Sequence, residues 1–380
     1  MRAAVRERLR PRGLLRRWWP VLLTPAGLLL VWLARRDPWG TEHLFSEGLY
    51  PLLARPVGAL TSLLPFSLFE MGVIVLLAAA LLWIGRGIFR LARFLRGRGE
   101  PPRFGKTLWL LVNGLSILFF LFVTTCGLNY YRPEFAAFSG LAVRDSSAEE
   151  LAALCGELAL EANALREGLP EDASGVMRLT EDFSGNAARA RADFARLEED
   201  YNVLPAFAIT PKPVLNSTLM SMAQITGEFT LLTFEANINT LAPDYSVPAT
   251  MCHELAHTRG FMREDEANFI GYLACRKSDS SEFRYSGVML ALVHAENRLY
   301  AADRELFFQV DALLSDGVRR DFAANNAYWA RFEGPVAEVS TAVNNTYLRA
   351  NNQSDGVKSY GRMVDLMLAY YAESLAGTAP

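Results

Sequence analysis

Residues 253–268 read HELAHTRGFMREDEAN, and this stretch is the most informative part of the 380-residue chain. On a helix, residues four apart lie on one face, so the imidazoles of His253 and His257 can reach one metal ion. Glu254 lies between them, where it can accept a proton from a water molecule that the metal activates. The chain has four histidines, and two of them belong to this motif. The pattern predicts a catalytic site with one Zn²⁺ per chain.

A catalytic zinc site needs a third protein ligand and an open position for water. Gly260 can end the first helix, because glycine adopts backbone angles that other residues resist. We expect a second helix to begin near Arg263. Glu264 and Glu266 on that second helix are the two candidates for the third ligand, and they require different phases of the helix.

The motif resembles that of the gluzincins, HExxH peptidases whose third zinc ligand is a glutamate on a following helix. In that class an Asp or Asn four residues later often supports a metal-binding histidine, and Asn268 has this spacing from Glu264. The resemblance therefore implies His253, His257 and Glu264 as the metal ligands. The metzincin pattern fails, because the position of its last ligand is occupied by Arg263, which does not bind cations.

A wider resemblance covers most of the chain. The sequence is similar to an uncharacterised bacterial family of multi-pass membrane proteins with a zincin-like extracytoplasmic domain. The segments that carry this similarity are LNYYR at 128–132, FEANIN at 234–239, HELAHTRGFMREDEANF at 253–269 and SYGR at 359–362. Membership would imply a metallopeptidase-like site, but it supplies no substrate.

Residues 1–131 are predicted to form a membrane anchor. They contain 17 Lys and Arg against 6 Asp and Glu, whereas the whole chain has a net charge of -3. Three apolar stretches, at about 18–34, 66–89 and 107–131, approach the roughly 20 residues that a spanning helix needs. The proline-interrupted stretch 44–65 either lies in the membrane interface or re-enters the membrane.

The distribution of arginines predicts the orientation. Seven basic residues precede Trp18, and seven lie from Arg86, near the end of the second apolar stretch, to Lys106, just before the third. The connection between the first and second stretches has three. The positive-inside rule then places the N-terminus in the cytoplasm and everything after Tyr131 outside the cell membrane. Beside spanning helices such basic runs do not indicate nucleic-acid binding. The expected partners are the lipid bilayer and a peptide or protein substrate.

Residues 132–380 are predicted to form one mainly α, α+β, zincin-like domain. Ser147 and its neighbours resemble a capping box that opens a helix through Leu165. Further helices are expected at 185–200, 287–308 and 363–375. Strands are expected within 204–240, just before the HExxH helix, which we expect to begin near Thr250.

Extended substrates often pair with a strand beside the active-site helix. The stretch 229–239 is the predicted strand. Glu235 and Asn237 on it either face the cleft or cap a turn or point to solvent.

Hydrolysis of a peptide also needs a donor to the oxyanion of the tetrahedral intermediate. Tyr360 and Arg362 are the first candidates, because they lie in a segment of the family resemblance. Tyr285 and His294 are candidates by their chemistry alone.

The chain has four cysteines, two of which flank the zinc motif. Cys252 and Cys275 are expected to be free buried thiols, with a disulfide between them as the alternative. No CxxC motif indicates a thiolate zinc site.

The leading functional hypothesis is a membrane-anchored zinc metallopeptidase in which Glu254 is the general base. The alternative is a zinc-binding sensor or scaffold domain without catalytic turnover. An intramembrane protease is excluded, because the charges at 259 and 263–266 beside the motif would oppose its insertion into a bilayer.

Overall fold

The computed structural model describes residues 18–98, 104–351 and 362–375. Within these ranges the chain is mainly helical, as predicted, with a single three-stranded sheet. The α-helices are α1 (Leu23–Arg36), α2 (Pro38–Thr41), α3 (Tyr50–Thr61), α4 (Leu68–Leu95), α5 (Phe104–Thr125), α6 (Ala136–Ser139), α7 (Ala148–Arg166), α8 (Phe183–Asp200), α9 (Ser217–Met222), α10 (Val247–Thr258), α11 (Glu264–Arg276), α12 (Ser281–Ala302), α13 (Arg304–Asp311), α14 (Asp316–Ala330), α15 (Pro335–Ala350) and α16 (Met363–Leu375). The strands are β1 (Lys212–Val214), β2 (Gly227–Thr230) and β3 (Glu235–Asn239).

Two of the described helices are long and apolar enough to cross a membrane, over Leu68–Leu95 in α4 and Gly105–Thr125 in α5. The stretch 18–34, predicted as a further span, is not one of these two helices within the described part of the chain. It forms a 3-10 turn, Trp19–Leu22, followed by the 14-residue α1. Proline fits only the first turn of a helix, and prolines at positions 20 and 25 place the start of the regular helix between them. α1 is therefore too short to span a bilayer by itself.

The proline-interrupted stretch folds against the soluble domain. It forms a π-helix, Glu42–Leu49, followed by α3. One face of α3, with Tyr50, Ala54, Gly58 and Thr61, is buried. The leucines on its other face stay exposed. This segment is thus an amphipathic element with one face on the domain.

The start of α4 is held by the sheet. The Glu235 carboxylate accepts hydrogen bonds from the backbone N–H groups of Leu68 and Phe69, both at 3.0 Å. Lys212 Nζ lies 2.6 Å from Glu235 Oε1 in a buried ion pair. Glu235 therefore caps a helix and does not face the cleft, so the cleft-facing alternative is wrong for this residue.

The sheet has the order β1-β3-β2, with β1 parallel and β2 antiparallel to β3. The single strand predicted at 229–239 is in fact two strands, which pair in the register Gly227↔Ile238 and Thr230↔Glu235. All five residues of β3 are buried, because it is the central strand. Asn237 on β3 donates to the carbonyl oxygen of Glu228 at 3.3 Å. β1 and β2 are both edge strands, and β2 lies beside the HExxH helix.

Helices α7, α8, α10, α11 and α12 form the core of the domain. α7 begins at the predicted capping box, in which the side chains and backbone of Ser147 and Glu150 bond reciprocally. The helix predicted at 287–308 is divided into α12 and α13 at Asp303, whose carboxylate caps α13. The same core also contains Phe45 and Tyr50, so it continues across the predicted domain boundary at residue 131.

Candidate metal centre

The two helices of the HExxH stretch form a tight pair. α10 begins at Val247, earlier than predicted, and Thr250 lies inside it with its hydroxyl donating to the carbonyl of Ser246 at 2.9 Å. Gly260 ends the turn after α10 with a φ of +86°, a left-handed conformation that favours glycine. α11 then begins at Glu264. A Cβ atom at Gly271 would lie only 3.0 Å from the backbone nitrogen of His253, so this glycine permits the close packing of α11 on α10.

The structure brings His253, His257 and Glu264 together. One possible ligand atom from each of them lies within 4.8 Å of the others. Glu264 Oε2 is 3.4 Å from His253 Nε2, and Glu264 Oε1 is 3.8 Å from His257 Nε2. The two imidazole rings are perpendicular, with centroids 4.6 Å apart. With these separations and donor types, the three side chains could hold one metal ion.

Glu266, the alternative third ligand, points elsewhere. Its carboxylate accepts hydrogen bonds from the backbone N–H of Phe135 at 2.7 Å and from Arg263 at 2.8 Å. It therefore fixes the turn before α11. Of the two glutamates, the geometry favours Glu264.

The surroundings of His257 suit a metal ligand. Its Nδ1 lies 2.7 Å from the carbonyl oxygen of Phe261, which only an N–H can satisfy, so Nε2 is left with its lone pair toward Glu264. Burial, together with the charge of His253, lowers the pKa of His257 to about 4. The imidazole is therefore neutral at pH 7, the form that binds metals.

His253 has a different environment. Burial alone would lower its pKa, but the hydrogen bond to Glu264 and the charges of Glu254 and Glu264 raise it above the ordinary value. Asn268, four residues after Glu264, lies close enough to raise this pKa further. His253 Nδ1 itself makes no hydrogen bond to the residues described. The structure thus brings Asn268 to the histidine that the resemblance implied it would support.

Glu254 lies beside this metal-ligand group. It is 4% exposed, and its Oε2 has no hydrogen-bond partner in the described part of the chain. Its Oε1 lies 4.0 Å from His253 Nε2. Burial raises the pKa of Glu254 to about 8; the charge of His253 opposes this shift, and the charges of Glu228 and Glu264 add to it. A buried carboxylate without a partner is costly, and its position beside three convergent ligand atoms indicates a chemical role.

One cavity of about 930 Å³ contains all four of these side chains in its wall. The edge strand β2 contributes Gly227, Glu228 and Phe229. The Glu228 side chain is exposed to the cavity. Desolvation by the surrounding cavity wall raises its pKa to about 7, and the charge of Glu264 adds to this rise. The cavity is large enough for several residues of a peptide.

Comparison with known sequences places the chain in a family. The model of the family described as Protein of unknown function (DUF3810) matches residues 45–368. The chain belongs to this family. The match includes both apolar helices, the sheet and the metal-ligand group, so the predicted membership of an uncharacterised family is confirmed. No curated protein and no solved structure matches the chain.

The structure separates the four predicted oxyanion donors. Tyr285 donates its hydroxyl to Asp321 at 2.7 Å, and it does not line the cavity. Arg362 pairs with Asp265 at 3.1 Å, also outside the cavity lining. Tyr360 lies outside the described residues. His294 does line the cavity, and burial and the charge of His253 lower its pKa to about 4. The placement therefore argues against Tyr285 and Arg362 as direct donors.

Two tyrosines that the sequence analysis did not single out stand at the cavity wall. Tyr130 and Tyr347 both line it, and their hydroxyl oxygens are 2.9 Å apart. Burial raises the pKa of Tyr347, so its hydroxyl keeps its proton. Tyr130 belongs to the LNYYR segment of the family resemblance, and this membership could have marked it as a candidate site residue. Nothing in the sequence connects Tyr347 with the HExxH motif, which ends 90 residues earlier at His257.

All four cysteines are buried free thiols. Cys252 on α10 and Cys275 on α11 are in hydrogen-bond contact, and this contact and burial raise the pKa of Cys252. The expectation of free thiols agrees with this arrangement.

Proposed function

We propose that the chain is a membrane-anchored zinc metallopeptidase that hydrolyses peptide bonds at the extracytoplasmic face of the cell membrane. The observation that carries this proposal is the buried, unpartnered carboxylate of Glu254 beside the convergent ligand atoms of His253, His257 and Glu264, all in one cavity. A purely structural metal site has no use for such a base.

The chain's own residues fit the metal. Two imidazole nitrogens and one carboxylate form the His₂Glu ligand set of catalytic zinc, which leaves a position for water or substrate. The hydrogen bond of His257 to the Phe261 carbonyl orients its ring. When bound, Zn²⁺ would lower the pKa of water and polarise the scissile carbonyl.

Glu254 would act as the proton carrier. Its carboxylate takes a proton from the attacking water and delivers it to the amine nitrogen that leaves when the peptide bond breaks. His294 and Tyr347, both at the cavity wall, are the candidate donors to the oxyanion. β2 pairs with β3 alone among the strands described, so its outer edge can bind an extended peptide by main-chain hydrogen bonds.

The helix ends support the orientation. α4 starts at the sheet, and the 3-10 turn Gly127–Tyr131 after α5 is buried in the domain. The connection between α4 and α5 lies at the opposite ends of these helices, and this region of the chain is rich in arginine. The positive-inside rule puts that connection in the cytoplasm and the domain outside.

The test is hydrolysis by the full chain in liposomes, measured by mass spectrometry on a broad peptide library. Wild type is compared with Glu254→Gln and with Glu149→Gln, an exposed glutamate on α7. Because general acid–base catalysis contributes about 10²–10⁴-fold, we expect Glu254→Gln to lose at least about 10²-fold in rate while retaining zinc. Glu149→Gln should behave as wild type. Zinc without cleavage in wild type would favour a sensor or scaffold, and full activity in Glu254→Gln would overturn the mechanism.

A further inference from the structure

We infer that the substrates are polypeptides that are themselves anchored in the membrane, cut within a few residues of the anchor. This inference rests on the proposed function and names the substrate class of the same cavity. It is carried by the position of the cavity relative to the end of an apolar helix.

The wall of the cavity includes the end of α5. The apolar span of this helix ends at Thr125. Phe122, one turn before that end, and Cys126, the residue after it, both line the cavity that holds the metal-ligand group. If Gly105–Thr125 crosses the bilayer, the cavity reaches the plane in which the hydrocarbon ends. A chain that leaves the membrane beside Phe122 is therefore already at the cavity.

The same side of the cavity has an apolar rim. Tyr347 on α15 lies with its ring centroid 6.1 Å from that of Phe122. Val343, one turn earlier on α15, also lines the cavity and is 63% exposed. An exposed valine at the cavity wall, one turn from the tyrosine that contacts Phe122, suits contact with the apolar segment of a substrate.

The domain is held close to the membrane ends of both helices. Glu70, in the first turn of α4, accepts hydrogen bonds from the backbone N–H groups of Leu215 at 2.9 Å and Asn216 at 2.8 Å. Together with the cap that Glu235 provides, this contact joins the start of α4 to the sheet region by four hydrogen bonds. The site therefore stays close to the bilayer. A peptide anchored in the same membrane can reach it by lateral diffusion, without diffusing through the solution.

The test uses the full chain in liposomes of phosphatidylethanolamine and phosphatidylglycerol. The probes are one peptide library in three forms: soluble, joined to a single apolar helix through two Gly/Ser residues, and joined to the same helix through about 30 such residues. A flexible spacer of about 30 residues has an end-to-end distance of roughly 30 Å, so it keeps the peptide concentrated at the membrane but takes it away from the rim. The short and long spacers therefore separate position from concentration.

We expect the short-spacer form to be cut at least about tenfold faster than the long-spacer form, because the effective concentration at the site falls with linker length. Val343→Asn should lower this ratio. Val339→Asn is the matched control, since Val339 is as exposed as Val343 but does not line the cavity, and it should leave the ratio unchanged.

Equal cleavage of the short-spacer and long-spacer forms, or faster cleavage of the soluble form, would overturn the inference and leave the peptidase proposal standing. Cleavage of none of the three forms would overturn both. A ratio that is unaffected by Val343→Asn, or lowered equally by both valine substitutions, would contradict the assignment of the rim.

Discussion

The hydroxyl of Tyr50 donates a hydrogen bond to the carbonyl oxygen of Thr258 at 2.9 Å and lies 3.3 Å from the carbonyl oxygen of His257. Tyr50 begins α3, which precedes the apolar helices, and Thr258 is the last residue of the HExxH helix. The last carbonyl groups of a helix have no partner within it. The backbone N–H of Gly260 donates to the His257 carbonyl at 3.0 Å, and the Tyr50 hydroxyl is the donor to the Thr258 carbonyl. The end of the helix that carries His257 is thus supported by a residue 208 positions earlier in the chain than Thr258.

We predict that Tyr50→Phe destabilises the protein and weakens metal binding. The substitution leaves the buried Thr258 carbonyl without the donor that Tyr50 supplies, at a cost of about 1–3 kcal/mol. Thermal unfolding of the full chain in detergent measures the effect, and zinc titration measures the affinity. Tyr300→Phe, at an exposed position on α12, is the control and should change neither. An unchanged unfolding midpoint in Tyr50→Phe would show that the bond does not support the helix.

Gly227→Ala should reduce hydrolysis and leave the metal in place. A Cβ atom at this position of β2 would lie 2.5 Å from Glu254 Oε1 and 2.7 Å from its Cγ, so the carboxylate must move. A displaced general base forfeits part of the roughly 10²–10⁴-fold contribution of proton transfer. Zinc content and peptide hydrolysis of the same sample separate the two effects.

The control for this steric prediction is Gly156→Ala on α7. A Cβ atom there would meet only Leu313 Cδ1 at 3.9 Å, an ordinary contact. It should keep full activity. Unaltered hydrolysis in Gly227→Ala would mean that Glu254 is not held at the position that catalysis requires.

The ion pair between Lys212 and Glu235 should be important for stability. Both side chains are buried, and Glu235 also caps α4. Removing one partner of a buried pair leaves an uncompensated charge, which costs about 3–5 kcal/mol. We therefore expect Lys212→Met to lower the unfolding midpoint strongly. Glu150→Gln, at the exposed pair with Arg144, should cost at most about 1 kcal/mol. Equal effects of the two substitutions would contradict the anchoring of α4 to the sheet.

The local parts of the site could be predicted from the sequence, because they depend on neighbours in the chain. The spacing of His253 and His257 places them on one helix face, and Gly260 marks the turn that brings α11 back. The sequence did not decide between Glu264 and Glu266 as the third ligand, because that choice depends on where α11 begins. The structure begins this helix at Glu264 itself.

The remaining parts depend on contacts between distant segments. Glu235 lies at a position where strand alternation allows it to face the cleft. Its carboxylate instead accepts a hydrogen bond from the backbone N–H of Leu68 and forms an ion pair with Lys212. Arg362 has the chemistry of an oxyanion donor, but Asp265 pairs with it. Tyr347 carries no local pattern at all. Periodicity and motifs do not record such long-range pairings, so these placements required the structure.

The most direct test of the central claim is the zinc content of the purified full chain by elemental analysis. Wild type is measured beside Glu264→Gln and Glu266→Gln, which keep the size of each side chain and remove only its charge. The account predicts one zinc per chain in wild type and in Glu266→Gln, and a loss of zinc in Glu264→Gln. A folded wild type without metal, or loss of zinc only in Glu266→Gln, would contradict it.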